Sequence, residues 1–317
     1  MLSTETLKAL VEQATTAPSS YNTQPWRFRA GADAIDLWAD RTRALPVNDP
    51  HDRELTISCG AALMSLRVAA AVHGLATKTH ILPEGPAFDW LARVEVSDGP
   101  VDAELATLGG WLVQRRTYRK AFAGRPVAAE VRQAVEQAAR SEGATLITLD
   151  HAQKDRAAEL VAAGDRQQWD APRWRRELAM WMHPRRQGDG LTIPALAAPL
   201  AQAVVRTFDL GNGVAAKDQQ LASGSPWLTL LLTDADDVQA WLTTGQALQR
   251  ALLTGSRHGL QASYLNQPIQ VATLRPQLQA LAGTSAFPQI LMRWGHPTDV
   301  LPASPRRPVD AVLERSA

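Results

Sequence analysis

Apolar residues recur at helical spacing up to the tetrapeptide Val11-Glu12-Gln13-Ala14, and a strand-like pattern starts at Trp26. Between them runs Ala17-Pro18-Ser19-Ser20-Tyr21-Asn22-Thr23-Gln24-Pro25-Trp26, which sets two serines and two carboxamides between two prolines. Such a stretch reads as a stiff polar loop, suited either to a helix-to-strand turn or to one wall of a site for a flat polar ligand. A longer, mostly apolar helix is expected from about Gly60 to His73-Gly74-Leu75. There His sits near the negative end of the helix, and Gly is free to close it in the left-handed conformation. Arg93-Val94-Glu95-Val96 follows as a short strand candidate.

The pattern then repeats. Gly60-Ala61-Ala62-Leu63 through His73-Gly74-Leu75 to Pro83 aligns without a gap on Gly245-Gln246-Ala247-Leu248 through His258-Gly259-Leu260 to Pro268. Val135-Glu136-Gln137-Ala138 echoes the first tetrapeptide, and Gln289-Ile290-Leu291-Met292 supplies the matching late strand. Each half therefore reads helix, strand, helix, strand, an α+β unit present twice, with halves at 1–114 and 115–317. The offsets of the two echoes differ by about sixty residues, so the second half carries an insertion, placed at about 165–222. It holds Trp169, Trp174 and Trp181 among several glycines and prolines, too aromatic a mixture for a disordered linker. It fits a lid folded over something, or a helical hairpin filling a groove.

Composition narrows the chemistry. With 317 residues and 45% hydrophobic content the chain can bury substantial cores. A net charge of +1 gives no broad basic surface, so nucleic acid is not an expected partner. The lone cysteine, Cys59, excludes an internal disulfide framework and reads as a buried thiol. No uninterrupted apolar run of about 18 residues appears, so no membrane span is expected. Glu5 and Glu12 break any signal-peptide pattern, which makes the cytoplasm the expected location. The seven histidines show no ligand spacing and there is no Gly-x-Ser-x-Gly, so neither a metal site nor a hydrolase nucleophile is expected. Arginines do cluster, at Arg115-Arg116-Arg119, Arg173-Arg175-Arg176, Arg185-Arg186 and Arg306-Arg307, as they would around a small anion or in solvated ion pairs.

The two halves differ where chemistry could sit. In place of the polar loop the second half has Ser141-Glu142-Gly143-Ala144-Thr145-Leu146. Conversely, the second half opens with Arg115-Arg116-Thr117-Tyr118-Arg119 and ends in Pro305-Arg306-Arg307-Pro308. Guanidinium groups beside a hydroxyl hold phosphate through charge-assisted, bidentate hydrogen bonds. A solvated arginine face is the alternative for either cluster alone.

The run from Ala17 to Trp26 resembles the Ala-Pro-Ser-Ser-x-Asn-x-Gln-Pro-Trp motif of the nitroreductase superfamily. Arg115-Arg116-Thr117-Tyr118-Arg119-Lys120-Ala121-Phe122 resembles that family's opening Arg-Arg-Ser-x-Arg-x-Phe. His258-Gly259-Leu260 with Leu265-Asn266-Gln267 resembles its helix end and flavin-edge strand, and the tandem arrangement is similar to the Acg-like branch. The resemblance implies a nitroreductase-like α+β fold acting as a single-chain pseudo-dimer, with one FMN per chain. By it, Arg115, Arg116, Thr117, Arg119, Arg306 and Arg307 grip the phosphate. Ser19, Ser20, Asn22 and Gln24 contact the flavin from the other half, and Leu265, Asn266 and Gln267 run along the isoalloxazine edge. Many relatives have Glu-Gly in place of Asn266 and Gln267. The implied activity is hydride transfer from NADPH or NADH through FMN to a nitroaromatic, quinone or similar small acceptor, with the flavin and no side chain carrying the chemistry. The alternative is a flavin-sequestering protein with little turnover, its flavin covered by the tryptophan-rich lid.

Overall fold

The computed structural model describes residues 2–84, 88–184, 187–194 and 196–315; the Arg185-Arg186 pair lies outside them. The first half folds as α1 (Thr4–Ala14), β1 (Trp26–Ala30), β2 (Ala34–Ala39), α2 (Arg53–Val72), β3 (Ala76–Ile81) and β4 (Trp90–Ser97). Two short turns of helix, α3 (Ala103–Ala106) and α4 (Gly109–Leu112), lead to the second half. There α5 (Ala129–Arg140) and β5 (Thr145–Thr148) precede α6 (His151–Asp170), α7 (Pro172–Met180), β6 (Met182–His183), β7 (Leu191–Thr192), α8 (Ala198–Thr207) and α9 (Gly211–Ser223). The chain then continues through β8 (Trp227–Thr233), α10 (Val238–Arg257), β9 (Gln261–Tyr264), α11 (Gln267–Gln270), α12 (Arg275–Leu281), β10 (Phe287–Gly295) and β11 (Leu313–Arg315).

The two main sheets share one strand order. The first runs β11-β1-β2-β4-β3 and the second β5-β8-β10-β9, antiparallel except for the parallel pairing of β11 with β1. Each half thus gives its own main sheet two more strands than the periodicity predicts. β3 (Ala-Thr-Lys-Thr-His-Ile) is a largely polar edge strand, and β8 carries a run of leucines whose spacing cannot tell strand from helix. The helix ends behave as expected: Gly74 and Gly259 take φ of 73° and 74°, with His73 and His258 at the C-caps.

Burial differs between the sheets, and the inserted segment explains why. In β1 and β2 buried and partly exposed positions alternate, because one face packs on α1 and α2 and the other faces outward. β8 is buried along its whole length. One face of its sheet lies against α5 and α10, the other against Ala157, Ala158 and Val161 of α6 and Ala222 of α9. The segment separating β5 from β8 begins at an Asp150–Gln153 capping box that starts α6, earlier than the expected boundary near 165.

The long central helices α2 and α10 cross at the repeated glycines. A methyl group on Gly245 would overlap the carbonyl oxygen of Ile57 and the backbone of Gly60 and Ala61; one on Gly60 would overlap the Leu242 carbonyl. No side chain can yield there, because the obstacle is backbone. Gly245→Ala should destabilise the fold by about 1–3 kcal/mol or more, read as a lower urea midpoint at unchanged slope. A shift below a few tenths would mean the helices do not meet at this point. α2 is also the one described helix long and apolar enough to cross a membrane, yet 89% of its most apolar stretch is buried inside the protein.

Candidate functional site

A cavity of about 690 Å³ opens where the two halves and the inserted segment meet. Its floor is α2 and α10, through Glu54, Ile57, Ser58 and Leu248. The polar loop forms one side, and the stretch from Leu112 to Arg119 together with Ser263–Gln267 forms the opposite side. Asp165, Gln168 and Trp169 from α6, Trp174 from α7 and Lys217 and Asp218 from α9 cover it. Trp169 and Trp174 meet edge to face at 5.6 Å, and the Trp174 indole donates to Asn48 at 2.9 Å.

The polar loop is strained and pinned. Tyr21, Asn22 and Gln24 take φ of 49°, 57° and 52°, unusual for residues with a side chain and unfavourable above all for tyrosine. Ser19 Oγ accepts from the Gln24 amide at 3.0 Å, and Tyr21 Oη donates to Asn48 at 3.2 Å. Ser20 Oγ donates at 2.5 Å to Glu54, which also accepts from Gln270 and Arg53. The loop is held in one shape, with Ser19, Ser20 and Asn22 on the cavity wall.

The arginine run is positioned by β9 and β10. Thr117 pairs in parallel with Ala262, and Tyr118 donates its amide to the Ala262 carbonyl at 2.9 Å. Arg293, 1% exposed, donates to the carbonyls of Tyr118 and Lys120 at 3.0 Å each. Burial holds the Arg293 guanidinium down to about 10. This fixture aims Arg115 and Arg119 into the cavity. Arg115 is 5% exposed and, among the described residues, donates only to the Thr16 carbonyl at 3.3 Å and leaves Nε and Nη1 without a partner. Burial lowers its pKa, with Arg116 and Arg119 adding to the effect. Tyr264 Oη is likewise buried in the same wall, with no partner among the described residues. Arg119 has no hydrogen bond or ion pair to another described residue.

Several other expected ligands are hydrogen-bonded within the protein. Arg306 lines the cavity, but its donors are occupied by the carbonyls of Thr15, Thr16, Ala17, Ser304 and Pro305 and by Asn22. Arg307 lies off the cavity, donating to the carbonyls of Gln24 and Ala311 and pairing with Asp40 at 3.6 Å. Gln24 is fully buried behind the loop, bonded to Gly188 and Arg307. These three fasten the C-terminal segment to the polar loop; carbonyls there need donors, and guanidinium groups supply several at once. Arg116 is partly spent on the carbonyls of Val113 and Leu301. Leu265 and Asn266 line the cavity wall, with Asn266 accepting from the Leu291 amide at 3.0 Å.

A profile described as the Nitroreductase family matches residues 1–35. A Mycobacterium tuberculosis (H37Rv) protein with the provisional name NAD(P)H nitroreductase Rv3131 is 30% identical over 98% of this chain and 91% of its own length. This chain belongs to the nitroreductase family. A second M. tuberculosis relative, provisionally named NAD(P)H nitroreductase acg, is 29% identical over 99% of this chain and 96% of its own. Among solved structures, the FMN-dependent nitroreductase NfnB from Mycobacterium smegmatis in complex with NADPH aligns with 66% of this chain and 93% of that one. Its identity is 18% and its TM-score 0.41.

In this nitroreductase-family chain the place related by the repeat to the polar loop is built differently. After α5, Glu142 projects between the central helices, accepting from Arg67 and from Arg250 at 2.6 Å each. Arg67 also donates to Gln246, and Arg250 reaches Glu104 at 2.9 Å. A buried ion cluster stands where the other half has its loop.

Four wall residues carry no sequence signal of a site: Glu54, Asp165, Asp218 and Tyr264. Glu54 is an acid in the first turn of an apolar helix, ordinarily a dipole effect. Only its burial at 3% exposure among hydrogen-bond donors marks it.

Proposed function

We propose that the chain is an FMN-dependent oxidoreductase that takes hydride from NADPH or NADH and delivers it to a small acceptor such as a nitroaromatic or quinone. The observation carrying this reading is Arg115, a buried guanidinium with two unmatched N–H groups facing a cavity whose other wall is the polar loop. Buried donors without partners are costly, so the site fits an anion such as a flavin phosphate. Arg115, Arg119 and Thr117 would hold that phosphate, with Tyr264 Oη beside it; Ser19, Ser20 and Asn22 would face the ring from the first half. Leu265 and Asn266 would border its edge, and Trp169 and Trp174 would exclude water. When bound, FMN supplies a two-electron acceptor and donor that neither half of the chain possesses.

The reading includes two further points. The halves act as an intramolecular pseudo-dimer, and each chain holds one flavin, because Glu142 and its two arginines fill the related place. Sequestration without turnover is the second reading, favoured by how firmly the cover is attached. Glu177 of α7 accepts from the amides of Val47 and Asn48 at 2.9 and 2.8 Å, and Arg43 pairs with Asp189.

Purified protein should be yellow with one FMN per chain, and NADPH or NADH should bleach it, with colour returning on addition of menadione. Absence of bound flavin after reconstitution would overturn the cofactor assignment. A coloured protein that neither nicotinamide bleaches would leave sequestration as the function.

A further inference from the structure

Two carboxylates in the cavity wall share one side-chain amide. Gln267 Nε2 donates to Asp165 Oδ1 at 3.1 Å and to Asp218 Oδ2 at 2.9 Å. The arrangement depends on close backbone approach: a Cβ on Gly164 would stand 2.7 Å from Gln267 Cβ, so α11 can lie against α6 only at a glycine. All three side chains line the cavity. Asp165 is 3% exposed, and among the described residues neither its Oδ2 nor Gln267 Oε1 has a hydrogen-bond partner. Among the described residues neither aspartate makes an ion pair, although Arg166, Lys217, Arg119 and Arg293 lie within electrostatic reach.

We propose that Asp165 and Asp218, joined through Gln267, hold one proton between them and deliver it to the acceptor as that acceptor is reduced. The inference rests on the oxidoreductase reading above. Two like charges that share one amide and make no ion pair are relieved by a single proton held by the pair, burial and mutual repulsion outweighing the Gln267 donation and the nearby cations. Burial pushes the Asp165 carboxyl up to about 7, helped by the Asp218 charge, and burial raises Asp218 as well. At neutral pH the pair therefore both holds a proton and can release it. The balance closes with a quinone as acceptor: one hydride, supplied through the nicotinamide–flavin couple, and one proton from the pair give the hydroquinone. The pair regains its proton from solvent before the next cycle. A nitro group takes the same hydride and proton to give nitroso and water.

Asp165→Asn tests this in two independent ways. The first needs no flavin. A carboxyl whose pKa is raised on folding contributes most to stability below its unfolded value, and that contribution is lost as pH rises through about 7. Asn at this position loses nothing over that range. The melting temperature of the variant should therefore gain on the parent between about pH 5 and about pH 8, and Asp218→Asn should move the parent's inflection to lower pH. The second follows the half-reactions by stopped flow. Reduction by NAD(P)H should stay within about twofold of the parent, whereas reoxidation by a quinone should slow ~100-fold and lose its pH dependence. Parallel melting profiles, or equal slowing of both half-reactions, would overturn the proposal. A protein that binds no flavin yet shows the divergent melting profiles would overturn the oxidoreductase reading and leave the proton-sharing pair standing.

Discussion

Arg115→Ala should give a folded, colourless protein. Truncating one partner of a buried charge-assisted pair costs about 2–5 kcal/mol, which weakens FMN binding ~30-fold to several thousandfold. The same change should not weaken the flavin-free protein. There Arg115 is a buried cation with only a single carbonyl contact at 3.3 Å, so removing it also removes a desolvation cost. Thermal unfolding of the flavin-free forms should thus be unchanged or slightly raised in the variant, while FMN stabilises the parent alone. Arg115→Lys should recover only part of the affinity, because an ammonium restores charge without the planar fork. Full colour in Arg115→Ala, or a flavin-free form less stable than the parent, would make Arg115 a structural residue.

Glu142→Gln should be among the most damaging substitutions outside the cavity. The Glu142 carboxylate and the Arg250 side chain are each 7% exposed, and Arg67 is 20% exposed. Neutralising Glu142 leaves Arg250 with only the exposed Glu104 and Arg67 with only the neutral Gln246, and breaking a buried pair in this way costs about 3–5 kcal/mol. Urea unfolding would show it as a lower midpoint at similar slope. Flavin content per folded chain should stay that of the parent, because Arg67, Glu142 and Arg250 do not line the cavity. A loss under about 1 kcal/mol would mean the three charges are hydrated in solution and do not act as a plug.

The parts of this molecule legible in its sequence are those where local chemistry and tertiary role agree. The repeated Gly60 and Gly245, the His-Gly-Leu helix ends and the Ser19–Asn22 loop all follow from helix closure, close packing and loop polarity. Burial decided the rest. Arg306 and Arg307 look like Arg115 and Arg116 as letters, yet they are spent on carbonyls that only the folded chain brings near. Asp165 and Asp218 are ordinary acids on amphipathic helices until α11 sets Gln267 between them. β8 hid as a leucine run because the inserted helices bury its second face, a long-range fact no window of sequence contains.

The pairing of β11 with β1 also sets an order of events. Phe28 bonds to Val312, and Arg306 reaches Thr15 across 291 positions of chain, so the first sheet gains its outer strand only when residues near 313 arrive. Until then β1 presents an open edge and the carbonyls after α1 lack their guanidinium donors. Contacts of such sequence separation form late and slowly. A nascent chain would therefore hold both halves as folded bodies before it holds a finished pocket, and cofactor capture would be among the last steps of maturation.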